Sequence, residues 1–169
     1  MIYTYKMEGL FKMNQKYRPK SAKNKILLSG VLIGVGVMAL IDEIIFHQLL
    51  QWHHFFDFNT MQFGIFSDGL LNAFALFSIA AGIFLFAHVT KLYTYSLLTW
   101  SSGIFIGLGS FQLIDGTINH KVFGIHQIRY DVDILPYDIG WNASAILLLI
   151  TGIVIWLITR KNEANRTGN

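Results

Sequence analysis

No cysteine occurs in the chain, which excludes disulfides, thiolate-bound copper and iron–sulfur clusters. Proline is nearly absent too: Pro19 and Pro136 fall in connecting segments, and the long apolar runs contain none. Charge is scarce. Only 14% of the residues are Asp, Glu, Lys or Arg, against about a quarter in a soluble domain. With 53% hydrophobic residues and a mean hydropathy of +0.47, the composition points to the membrane. No cleavable leader is expected, because the apolar run from Ile26 is long enough to span and no small-residue cleavage site follows it.

Spanning a bilayer takes about 20 mainly apolar residues. Four segments qualify: Ile26–Leu50, Asp68–Thr90, Leu97–Ile118 and Asp138–Thr159. Their short links favour antiparallel neighbours in a four-helix bundle. The expected organisation is a basic cytoplasmic tail over 1–25, one membrane domain over 26–159, and a cytoplasmic tail over 160–169. The pI near 9.2 does not signal nucleic-acid binding, because the bases are sorted along the chain rather than spread over one face. Eleven Lys and Arg fall in the two tails and the second link, against Lys121 and Arg129 on the other side. The positive-inside rule therefore predicts a multi-pass protein of the cell membrane with both termini cytoplasmic. Eight of the ten acids and five of the six histidines go to the opposite, extracytoplasmic end.

That polar end is built around Ile41–His54, IDEIIFHQLLQWHH, which returns as Ile114–Gln127, IDGTINHKVFGIHQ. Between Gly30–His53 and Gly103–His126, ten of 24 ungapped positions are identical, each pair 73 residues apart. The match continues at an offset of 70 from Ser67-Asp68 to Tyr137-Asp138 and from Asn72-Ala73 to Asn142-Ala143. The expected fold is thus an all-α integral membrane protein of four transmembrane helices. They form two parallel two-helix repeats, about 26–90 and 97–159, related by a pseudo-two-fold axis along the membrane normal. Gly30, Gly34 and Gly36, echoed by Gly103, Gly107 and Gly109, suit close packing of the first and third helices.

Neutral imidazole and carboxylate are the usual ligands for zinc, iron and oxidised copper. The repeat selects Asp42, His47 and His53 with Asp115, His120 and His126 as metal ligands, and Asp68 and Asp138 complete the shell or cap their helices. On a continuous helix Asp42 and His53 are about 16 Å apart, so they meet only if the chain folds back. Gly124 marks such a turn in the second copy, whereas the first has no glycine there. Glu43 is demoted because Gly116 replaces it, and His54 because Gln127 does. Asn72 and Asn142 suit hydrogen bonds to a carboxylate. His88 reads as a solvated helix-end residue, the four tryptophans as an interfacial belt, and Arg129 as an ion-pair partner of Asp131 and Asp133.

The motifs IDEIIFHQLLQWHH, SDGLLNAF, DGTINHKVFGIHQIRY and LPYDIGWN resemble an uncharacterised prokaryotic membrane family, domain of unknown function 2243, from about Gly30 to Trp156. The resemblance implies a four-helix integral membrane protein and no particular activity.

The leading functional expectation is a metalloprotein binding zinc, iron, manganese or copper(II) at the extracytoplasmic side. Two mononuclear sites and one shared site both fit the pattern. As an enzyme it would most readily hydrolyse substrates with metal-bound water; as a non-enzyme it would handle metal. Three other readings fit the sequence less well. Haem b held by His47 and His120 is disfavoured by the acids beside them. Proton or cation transport lacks polar residues on the inner half of the helices. The last is a structural subunit of a membrane complex, or a homo-oligomer. Apart from the lipid bilayer, the sequence names no partner.

Overall fold

The computed structural model describes residues 19–93 and 95–167, all helix and connecting loop without strands among them. The expected basic tail lies outside the described residues as far as 18, and the chain is helical from Lys20. Four helices follow: α1 (Lys20–Asp42), α2 (Met61–Leu92), α3 (Leu97–Ile114) and α4 (Leu135–Thr167). α1 continues through a π-helical segment, Glu43–Leu49, and α3 through another, Asp115–Phe123. All four are long and apolar enough to cross a membrane, over Lys20–Leu49, Met61–Leu92, Leu97–Phe123 and Leu135–Asn162.

Two starts differ from the sequence expectation. α2 begins at Met61, where Thr60 Oγ1 accepts a hydrogen bond from the Phe63 N–H at 3.3 Å. Asp68 is therefore two turns inside the helix rather than at its cap. α4 begins at Leu135, which puts Pro136 in the first turn, where its missing N–H is not needed.

The lateral order is α2, α1, α3, α4. α1 packs on α2 and α3 on α4, while α1 and α3 form the central pair. Among the described residues no Cα of α2 comes within 8 Å of α3 or α4 in a recurring contact, although α2 and α3 are joined by a short link. The expected bundle of chain neighbours is thus opened out, and the glycines explain why. A methyl group added at Gly30, Gly34, Gly103 or Gly107 would collide with the backbone oxygen of Trp100, Ile104, Leu27 or Val31, respectively. Only glycine lets these two backbones approach so closely, and the pair they form takes the middle. Gly36 lies against Ala75 of α2, and its match Gly109 against Ala145 of α4. The outer helices turn large apolar side chains outward, such as Phe77 and Phe84 on α2 and Ile139 and Leu147 on α4. Without water in the hydrocarbon layer such faces carry no solvation cost.

Candidate metal centre

At the polar end α1 and α3 both relax from α to π geometry at matched places. In a π-helix the backbone bonds from i to i+5, so residues five apart lie one turn apart. In an α-helix they would be about 140° apart around the axis. The change sets Asp42 under His47 and Asp115 under His120. Each helix then ends in a left-handed residue, Gln51 (φ 50°) in the first half and Gly124 (φ 59°) in the second. These two are also 73 residues apart. The closures match: Trp52 N donates to Phe46 O at 2.9 Å, and Ile125 N to Asn119 O at 3.0 Å. The chain thereby folds back in both halves, including the first, where no glycine announces it.

The returning loops place His53 and His126 face to face, ring centroids 4.6 Å apart and planes within 6°. His47 packs edge-on to His53 at 4.5 Å, and His120 edge-on to His126 at 4.6 Å. The four imidazoles are all buried. Each central ring is locked from behind by the opposite loop. His53 Nδ1 donates to the Ile128 carbonyl, and His126 Nδ1 to the Phe55 carbonyl, both at 2.9 Å. That bond fixes the tautomer and leaves each Nε2 as a lone pair facing inward. Neither Nε2 has a hydrogen-bond partner, nor has either ring nitrogen of His120. Burial, and next the neighbouring imidazoles, push His53 down to about 2. Burial also lowers His126, to about 4, partly offset by Asp115. Both rings are therefore held neutral, the form in which imidazole binds metals.

Two carboxylates flank this core. Asp115 Oδ2 lies 3.1 Å from His120 Nε2 and its Oδ1 lies 3.6 Å from His126 Nε2, while Asn119 donates to Oδ1 at 2.9 Å. Asp42 Oδ2 is 3.7 Å from His47 Nε2 and has no hydrogen bond. Three groups bring their ligand atoms within 4.8 Å of one another: His53, His120 and His126; Asp42, His47 and His53; and Glu43, His47 and Asp68. Six of the eight expected ligands thus gather around the histidine stack, and Asp68 joins through His47.

Asp138 stands apart. Its Oδ2 pairs with Lys121 Nζ at 2.5 Å, and it belongs to none of these groups. Asp68 acts partly as a loop anchor, a role outside both sequence readings. It accepts hydrogen bonds from the Phe55 N–H at 2.7 Å and from His54 Nδ1 at 2.6 Å. Glu43, demoted in the sequence, is fully buried, with Oε2 2.8 Å from His47 Nδ1. Gln48 and Asn72 hold its other oxygen at 2.9 and 3.1 Å, so the Asn72 amide serves Glu43 and not Asp68. Asn142 instead donates to the Asp138 backbone carbonyl. The i,i+4 spacing of Glu43 to His47 already points to this contact in the sequence, although Gly116 at the matched position makes Glu43 the less essential partner there.

Other expectations fall out differently. Arg129 lies over the Trp52 ring at 4.7 Å and donates to the Tyr137 hydroxyl at 2.6 Å, and among the described residues it forms no ion pair with Asp131 or Asp133. Trp141 is buried beside Gly116 rather than placed in a belt. His88 is exposed near the end of α2, as expected. A cleft of about 410 Å³, lined by Gln51, Trp52, His53, His54, Asp57, Phe58 and Tyr130, meets the histidine core at His53 alone.

These features define a class: an α-helical membrane protein with four spans and a buried histidine–carboxylate cluster at one end. The chain matches the family model described as "Predicted membrane protein (DUF2243)" over residues 29–159 and belongs to that family. No curated protein and no solved structure matches it.

Proposed function

We propose that this protein is a membrane metalloprotein whose transition-metal centre is shared between two homologous halves. The observation that carries this reading is the pair His53 and His126, buried, each pinned through Nδ1 and each presenting an unpartnered Nε2 to the same space. A polar core that merely locked the helices would satisfy these atoms, because an unpaired buried polar group costs about 1–3 kcal/mol. His120 completes a three-nitrogen set with Asp115 beside it, and Asp42 with His47 offers the matched donors across the stack. Such a set suits zinc, iron or copper(II) better than manganese.

The halves are parallel repeats about a pseudo-two-fold axis. The matched carbonyls behind His53 and His126, the matched left-handed residues and the matched glycine contacts support this. The basic ends of α1, α2 and α4 favour termini in the cytoplasm and the centre on the extracytoplasmic side. With no native cysteine to interfere, Asn59→Cys and Val132→Cys should both react with a membrane-impermeant maleimide from outside; labelling of one alone would overturn the parallel repeat.

When bound, the ion supplies Lewis-acid activation of water, and the cleft at His53 and His54 gives solutes a way in. The centre is thus suited to hydrolysis or to metal handling. A haem between His47 and His120 is disfavoured, since the His53–His126 stack fills the interval. Transport is disfavoured because the buried hydroxyls deeper in the spans, those of Ser29, Ser78 and Ser102, are tied to backbone carbonyls. The test is elemental analysis of detergent-purified protein, as isolated and after reconstitution with zinc, iron or copper(II). At least one ion per chain is expected, lost in His53→Ala and His126→Ala. Absence of bound metal under all these conditions would sink the proposal.

A further inference from the structure

The geometry points to a second, oxygen-rich cation position, present only in the first half and formed by Glu43, Asp68 and Nδ1 of His47. It rests on the metal-binding reading above but uses different donors from the nitrogen-rich set of His53, His120 and His126. Glu43 Oε2 lies 2.8 Å from His47 Nδ1, and Asp68 Oδ1 is hydrogen-bonded to the same nitrogen at 3.1 Å, so a cation here takes the place of the Nδ1 proton. The three atoms lie within 4.8 Å of one another.

Glu43 is the informative residue. It has no solvent exposure, and Oε2 is out of hydrogen-bond alignment despite its nearness to His47. Amides from Gln48 and Asn72 hold only the other oxygen, which keeps Oε2 aimed at the imidazole. A carboxylate in a low-dielectric interior costs several kcal/mol unless a cation compensates it. Among the described residues no Lys or Arg pairs with Glu43, Lys121 being engaged with Asp138, so without a bound ion only the His47 imidazole faces it.

The second half shows what a filled equivalent looks like. Gly116 stands in place of Glu43, and a Cβ there would run into Trp141 and Asn142. Lys121 stands in place of Gln48, and its ammonium sits on the carboxylate of Asp138, the match of Asp68. A tethered cation thus occupies the second half where the first half offers a position for a free one. Two carboxylates and one imidazole favour a harder divalent cation than three imidazoles do, manganese among the first-row metals. With His47 engaged through Nδ1, its other nitrogen carries the proton toward Asp42 Oδ2, 3.7 Å away, so His47 then serves this position and the nitrogen-rich centre is left to His53, His120 and His126.

The experiment titrates purified full-length protein with manganese, read by the loss of the free-ion paramagnetic resonance signal, and separately measures zinc by elemental analysis. Wild type should bind one manganese per chain beside zinc. Glu43→Gln should weaken manganese at least tenfold while zinc stays at its wild-type level. Gln48→Lys, at an exposed position, should do the same by copying the second half, and it keeps the test open if Glu43→Gln fails to fold. His120→Ala should lose zinc and keep manganese. Wild-type manganese affinity in a folded Gln48→Lys or Glu43→Gln protein would overturn the second position, as would zinc binding without manganese in wild type. The nitrogen-rich centre survives either result. Loss of both metals from wild type would remove both.

Discussion

The two halves of this protein share a scaffold and differ in charge. Both run through a glycine-packed helix, a π-helical end, a left-handed residue and a returning loop whose histidine is locked by the opposite loop. Around that scaffold the first half carries Glu43, Gln48, His54 and Asp68, all converging near His47. The second carries Gly116, Lys121, Gln127 and Asp138. There Lys121 ties Asp138 and Gln127 together, at 2.5 and 3.2 Å. The pairing teaches that what positions the imidazoles is alike in the two halves, while the side chains beside them differ in the charge they present. In the first half Glu43 and Asp68 face a histidine, whereas in the second Asp138 is paired with a lysine.

The comparison breaks most severely at the seam. Gly34→Leu and Gly107→Leu each drive a side chain into the facing backbone. Overpacking of a core costs about 1–3 kcal/mol, and a backbone collision reaches the upper end. Both variants should lose monodisperse protein on size-exclusion chromatography in detergent, and to the same extent if the halves are equivalent in packing. A large difference would show that one hairpin carries the fold alone.

Next come the central histidines. Removing His53 or His126 should reduce zinc affinity at least about 100-fold, since even residues behind the ligands are worth 10–100-fold. The two losses should be alike, because the rings sit in matched settings; zinc retention measured after dialysis against a chelator reads the difference. The flanking acids should be unequal. Asp115 is nearer two imidazole nitrogens than Asp42 is to its one, so Asp115→Asn should cost about tenfold in zinc affinity and Asp42→Asn less. Equal losses in a competition titration would restore full equivalence of the halves.

The smallest effect lies in the turns. A left-handed conformation costs a non-glycine residue about 1–2 kcal/mol. Gly124→Ala should therefore lower stability by about 1 kcal/mol. Gln51→Gly should stay within about 0.5 kcal/mol of wild type, as relief of strain offsets the added freedom of the unfolded chain. Thermal melts in detergent, compared side by side, check both.

Much of the site was legible because the chain states it twice. Repetition at a spacing of 73 picked out Asp42, His47 and His53 with their partners, and the acids and histidines sorted to one end of the spans. The same rule misled at Glu43. A residue absent from the second copy reads as the less essential partner, whereas the halves differ there and Glu43 is fully buried beside His47. Asp138 was overvalued for the converse reason. Its match with Asp68 is real, but Lys121 stands where Gln48 does in the first half and takes its carboxylate. Gln51 was invisible, because a left-handed glutamine leaves no compositional mark and only its position opposite Gly124 betrays it.

By itself the sequence determined four spanning segments, the glycines that bring two of them together and the residues of the polar end. Apolar length, small side chains and repetition are local properties, written where they act. Tertiary structure alone decided the order of the helices, the π-helical ends that stack aspartate beneath histidine, and the locking of each central imidazole by the other half's loop. Those depend on atoms 75 and 71 residues apart arriving within hydrogen-bond distance, and no spacing within one half specifies where the other half's carbonyl will be. Ile41–His54 supplies its share of the candidate ligands, and the carbonyls of Phe55 and Ile128 decide which way the stacked rings face.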